Sequence, residues 1–271
     1  MEPVAVYVVQ PVAIVEVAPP RDLWVVAAGL ALATAAWAWT LGGDMGPPMA
    51  ASGMDMAEAG ASAMPPTAWS PGQAALMFAM WWVMMAAMML PGAAPLVLTA
   101  AAVHRRRGRA GWPELIAGLL TAGYLVVWGI FSLAATFAQW ALEESRLIAP
   151  EDVADAAAGW ISLAVGLYQL TPLKRSCLRH CRSPIRLLGR YWRSGATGAF
   201  RMGLAHGVYC LGCCGALMVL LFAGGVMNPF WIGVLAFYVL VEKHAAEGLG
   251  LSLASGLGLA GIGIVLLAQV A

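Results

Sequence analysis

Long apolar stretches recur along this chain, at about residues 23–41, 73–98, 115–140, 157–173, 199–223, 228–243 and 248–270. A helix needs about 20 mostly apolar residues to cross a bilayer, and in lipid its backbone must satisfy its own hydrogen bonds. The pattern predicts an all-α, polytopic transmembrane helix bundle of about seven spans. The sixth stretch is short and ends at Glu242 and Lys243. Composition agrees, since the 271 residues are 61% hydrophobic and 11% charged, more apolar than a soluble fold of this size requires. A net charge of +1 argues against a nucleic-acid partner, which would call for a basic excess.

The charges between these stretches alternate in sign. His104, Arg105, Arg106, Arg107 and Arg109 follow the second stretch, and Lys174, Arg175, Arg179, Arg182, Arg186, Arg190 and Arg193 follow the fourth. The segments after the first and third carry Asp44, Asp55, Glu58, Glu143, Glu144, Glu151, Asp152 and Asp155 against a single Arg146. The positive-inside rule then predicts a cytoplasmic amino terminus and a carboxyl terminus outside. Residues 1–22 hold Pro3, Pro11, Pro19 and Pro20 and lack a basic n-region, so they read as an extended cytoplasmic tail and not as a signal peptide. Residues 23–271 read as one transmembrane domain, with an outer loop at 42–72 and a basic inner loop at 174–196.

Sulfur is distributed unevenly over this plan. The outer loop contains Met45, Met49, Met54, Met56 and Met64, where thioethers bring no packing benefit. The next stretch reads QAALMFAMWWVMMAAMMLPGAAP, and Met77, Met80, Met84 and Met88 fall within an arc of about 80° on a helix. Met85 and Met89 begin a second row. Methionine also serves as flexible core filler, but a dense stripe next to a Met-rich loop points to a soft-metal surface. Thioethers suit Cu(I) and bind it without competition from protons.

The cysteines lie elsewhere. In YQLTPLKRSCLRHCRSP, Cys177 and Cys181 are i, i+4 neighbours with His180 beside them. In AHGVYCLGCCGALMVLLF, His206, Cys210 and Cys213 share a helix face with Met202, and Cys214 lies next to it. Ionisable groups inside a span are functional candidates, because leaving them unpaired is costly. Thiolate, imidazole and thioether donors together select Cu(I), with Zn(II) as the second candidate, over Mg(II) or Ca(II). The neighbouring arginines are expected to lower the thiol pKa values. Five cysteines, none in a predicted outer loop, do not suggest a disulfide framework. Whether the Cys177/Cys181 clip and the ligands on the later span meet is left open by spacing alone.

Three segments, MWWVMMAAMMLPGAAP, YQLTPLKRSCLRHCRSP and GLAHGVYCLGCCGALMVLLFAGGVMNPFWIGVLAFYVLVEK, resemble the bacterial family of predicted metal-binding integral membrane proteins known as domain of unknown function 2182. The likeness spans about residues 73–244. It implies a metal site at Cys177, Cys181, His206, Cys210, Cys213 and Cys214, with His180 inside the same motif, and a multi-pass protein of the bacterial inner membrane.

The reading that follows is a membrane protein that binds a soft metal, foremost Cu(I), for copper transport, delivery or homeostasis. Its partners would be the lipid bilayer, the metal ion, and a copper chaperone or copper enzyme; oligomeric state is not legible. The metal ligands expected are Cys177, His180, Cys181, His206, Cys210, Cys213 and Cys214, with Met77, Met80, Met84 and Met88 forming a path. No nucleotide loop, H-E-x-x-H or haem-attachment motif is present, and no catalytic residue is assigned. The alternatives are a membrane thiol–disulfide oxidoreductase with Cys210 and Cys213 as the active pair and Cys177 and Cys181 as the shuttle pair, or an accessory or assembly subunit of a copper oxidase. Glu242 and Lys243 are expected to snorkel to the interface, and His104 to be solvated. Gln169, Thr171 and Pro172 read as helix-end residues within reach of the clip. Two small-residue rows on the last stretch, Gly250/Ala254/Gly258 and Gly248/Ser252/Gly256/Ala260, read as packing seams.

Overall fold

A computed structural model describes residues 69–106, 113–144, 151–191, 195–226, 228–244 and 248–270, and these are 94% helical without a strand. The tail, the first predicted span and the five outer-loop methionines lie outside the described residues. The helices are α1 (Pro71–Arg106), α2 (Pro113–Glu144), α3 (Glu151–Gln169), α4 (Pro172–Cys181), α5 (Pro184–Tyr191), α6 (Ala196–Gly224), α7 (Pro229–His244) and α8 (Gly248–Val270). Four stretches are long and apolar enough to cross a membrane: Pro71–His104, Glu114–Glu144, Ala196–Gly224 and Gly250–Val270. They match the second, third, fifth and seventh expected spans. The sixth, α7, has 16 residues, or about 24 Å, short of a hydrocarbon core of about 30 Å. Outward-facing Ile130, Leu133, Phe137, Phe237, Leu257 and Ile264 form an apolar surface suited to lipid.

Glycines bring the helix pairs together. A Cβ at Gly203 would collide with the Leu120 carbonyl, and one at Gly123 with the Phe200 carbonyl, so α2 and α6 pack backbone to backbone. α3 meets α8 in the same way, with Gly166 against Gly256 and Ala260. Of the two small-residue rows on α8, the one with Ser252, Gly256 and Ala260 faces the bundle, whereas Gly250 and Gly258 face open space.

The basic segment 174–196 is not the simple loop that its charge suggested. Pro172 starts α4 at a position where its missing N–H costs nothing, and Thr171 caps it by accepting from the Lys174 N–H. Leu178 on α4 and Leu187 and Leu188 on α5 are buried, so the segment folds back onto the bundle. Two cores result. One gathers Met80, Met84, Met85, Met88 and Met89 of α1 with Tyr124, Trp128 and the thiols of α6. The other joins Leu96, Val97, Ala100 and Ala101 of α1 to Ala117, Leu120, Leu187, Leu188 and Met202.

Candidate metal centre

The first core holds three buried thiols on one helix. The Cys210, Cys213 and Cys214 sulfurs all lie within 4.8 Å of one another. Cys213 Sγ stands 3.2 Å from Cys214 Sγ and 3.3 Å from the Cys210 carbonyl. A fourth thiol comes from α4, with Cys181 Sγ 3.6 Å from Cys213 Sγ. The clip and the later ligands therefore meet. Gly212 makes this approach feasible, since a Cβ there would lie 2.6 Å from Cys177 Sγ. Its carbonyl also accepts a 2.5 Å hydrogen bond from the Tyr168 hydroxyl of α3. Cys177 is half-buried against the same core. Burial pushes its thiol pKa up, opposite to the lowering expected from the loop arginines.

Cys210 is also where the bundle's polar groups converge. Tyr124 Oη and Lys243 Nζ each lie 3.1 Å from its sulfur. Lys243 also reaches Met89 Sδ at 3.9 Å, and its chain runs past Gly92, where a Cβ would stand 3.1 Å from Nζ. The expectation that Lys243 and Glu242 snorkel outward is thus corrected. Both are buried, and Glu242 accepts from Lys174 Nζ at 2.7 Å, from Tyr238 at 3.0 Å and from Ser252 at 2.6 Å. Gln169 serves this network, accepting from Lys174 and donating to Ser255, and makes no hydrogen bond to the clip. Burial of Lys174 and Glu242 is tolerable because the two charges neutralise each other and share further hydrogen bonds. Lys174 belongs by its charge to the basic inner-loop group, yet it is fully buried. The only signal available was a basic residue three positions before the clip and an acidic one at the end of an apolar stretch.

The two candidate histidines separate. His206 is buried, stacks on Tyr124 with centroids 5.3 Å apart, and has no hydrogen-bond partner at either ring nitrogen. An imidazole buried in that state has a lone pair to offer. His180 stacks flat on Tyr209 at 4.5 Å, with Nδ1 2.9 Å from the Ser176 carbonyl. Its neighbours are an aromatic ring and its own helix, not the thiols. His104 is buried at the end of α1, with Nε2 unpartnered, where a solvated residue was expected.

Met80, Met84 and Met88 are buried in the core that contains the thiols, and Met77 is half-buried at its edge, 3.9 Å from Gln139 Nε2. The stripe therefore faces inward. Met89, from the second row, is the methionine tied to the thiols through Lys243. Met202, which shares the expected face of α6, packs instead in the second core. The thiols of Cys181, Cys210, Cys213 and Cys214 form a soft donor set, with Met89 and His206 approaching it through Lys243 and Tyr124. Their chemistry suits Cu(I) and would also accept Zn(II).

Comparison with known proteins bears on this chemistry. No curated protein and no solved structure matches the chain. A family model, PpoB2, described as copper chaperone, matches residues 78–266. It bears out a copper-related family but does not carry the name of the metal-binding family that the three motifs resemble. The match begins one residue after Met77 and contains every other candidate ligand of the described helices. Since it covers more than two thirds of the sequence, this chain belongs to the PpoB2 family of copper chaperones.

Proposed function

We propose that this chain is a multi-pass protein of a bacterial inner membrane that carries Cu(I) on Cys181, Cys210, Cys213 and Cys214 and delivers it to a copper enzyme or a second chaperone. Cys177 and His206 flank the site, and His180 is a peripheral candidate. The observation that carries this reading is the cluster itself: three buried sulfurs within 4.8 Å, reached by a fourth from α4 at 3.6 Å. Cu(I) accepts two or three sulfurs without strict geometric demands, and thiolates outcompete oxygen donors for it. Each thiol that becomes a ligand releases a proton to water.

Met77, Met80, Met84 and Met88 supply exchangeable, uncharged sulfurs along α1, suited to moving Cu(I) between the predicted outer Met-rich loop and the thiols. The positive-inside rule puts α4 and α5 on the cytoplasmic side, with seven spans and the amino terminus inside. The family description supports delivery over storage. Zn(II) is the competing cargo, and no enzymatic step is part of this reading.

Anaerobic titration of the detergent-purified full chain with Cu(I), against a chromogenic Cu(I) chelator, tests it. Wild type should withdraw Cu(I) from the chelator, and a Cys210→Ser/Cys213→Ser variant should not, while both elute as the same folded species. A wild-type chain that holds Zn(II) and ignores Cu(I), or a double variant that binds Cu(I) as well as wild type, would overturn the reading.

A further inference from the structure

Copper carriage leaves one buried charge without a task. Lys174 and Glu242 neutralise each other at 2.7 Å. Lys243, the next residue, extends to the thiols, with Cys210 Sγ at 3.1 Å and Met89 Sδ at 3.9 Å, and has no carboxylate partner among the described residues. Space for its stem and ammonium exists because position 92 lacks a side chain. A structural lysine at the end of an apolar helix would extend toward water. This one is buried beside the sulfurs, where an uncompensated positive charge is costly unless it serves a negative centre.

The charge of a loaded site supplies that centre. Cu(I) bound by two thiolates carries one net negative charge, and the ammonium brings the total to zero. At any given number of thiolates, a monovalent ion leaves the site one charge more negative than a divalent ion does. In a low-dielectric interior that difference is worth far more than in water. We infer that Lys243 is a specificity-determining residue whose fixed ammonium favours a monovalent thiolate centre, Cu(I), over a divalent one such as Hg(II) on the same sulfurs. The inference rests on the copper reading above.

The test uses the full chain in detergent under anaerobic conditions, loaded separately with Cu(I) or Hg(II). Glutathione is then titrated until half the metal is displaced. Leu is chosen as the neutral replacement because Met would add a ligand. Lys243→Leu should lower the Cu(I) affinity obtained from this titration by about thirtyfold or more, the effect of losing one partner of a buried charge pair. Hg(II) retention should change far less, so the Cu(I)/Hg(II) ratio falls. Lys243→Gln, which keeps a donor for the sulfur, should behave as Lys243→Leu and covers the case in which the leucine variant does not fold. Lys243→Arg should stay within about threefold of wild type for both ions.

An unchanged ratio in the neutral variants, or an equal loss of both ions, would overturn the role of charge and leave the copper reading standing. Failure of wild type to take up Cu(I) would overturn the copper reading and this inference together.

Discussion

α1 passes through both cores, and its two halves are built from different atoms. From Met80 to Met89 it buries five thioethers against thiols, Tyr124 and Trp128. From Leu96 to Ala101 it buries Leu, Val and Ala against similar residues of α2 and α5 and against Met202 of α6. Both halves belong to the same helix and both are tightly packed, and although the second core also takes Met202 from α6, α1 itself packs there without methionine. Where a helix has only to be held, aliphatic side chains with well-defined rotamers suffice. The sulfur-rich half also meets Lys243 and Tyr124, with His206 stacked on the Tyr124 ring. The contrast separates a sulfur-rich end of the bundle from an aliphatic one.

The largest effect that would sharpen this contrast lies in the buried ion pair. Glu242→Ala strands Lys174 in the interior, and thermal unfolding in detergent should show a loss of about 3–5 kcal/mol. A Lys174→Met/Glu242→Leu double variant, which leaves neither charge unpaired, should recover most of that loss. A double variant as unstable as the single one would show that shape, not charge, holds α4 in place.

Next in size are the close glycine contacts. Gly203→Ala forces α2 and α6 apart and should cost about 1–3 kcal/mol, measured by unfolding, with Cu(I) affinity falling only as far as the fold loosens. Gly212→Ala should cost a similar amount, but it displaces Cys177 and with it the α4 clip. Chelator competition should therefore show weakened Cu(I) binding out of proportion to the lost stability. Equal behaviour of the two variants would break the proposed division.

The smallest stability effects are the most discriminating. Met84→Leu/Met88→Leu conserves volume and should cost less than about 1.5 kcal/mol, yet slow Cu(I) loading in a stopped-flow assay. The reverse exchange in the second core, Leu96→Met/Leu120→Met, should be equally mild and leave loading unchanged. A thioether stripe whose removal leaves loading intact would be core filler after all.

Much of the helical plan was legible from the sequence because lipid-facing helices are read from length and composition. The shared face of His206, Cys210 and Cys213 was legible from helical period. Which row of small residues on α8 faces inward was not, since two rows of equal quality exist and only the partner α3 decides. His180 shares the clip's motif, but three residues past Cys177 its ring meets Tyr209 instead of the sulfurs. The roles of Lys174, Glu242 and Lys243 were hidden for a deeper reason. A charge at a span's edge is ordinarily solvated, and these are buried only because α4 folds back to bring Lys174 to Glu242 while Gly92 leaves room for Lys243.

The ten-residue helix α4 has its first turn locked by Lys174 and bears Cys181 at its other end. Swinging that helix away from α6 would first require pulling two desolvated opposite charges apart, at a cost of several kcal/mol. α4 is therefore a fixed wall of the thiol cluster, and the spacing between Cys181 and the sulfurs of α6 is kept for as long as Lys174 and Glu242 stay paired.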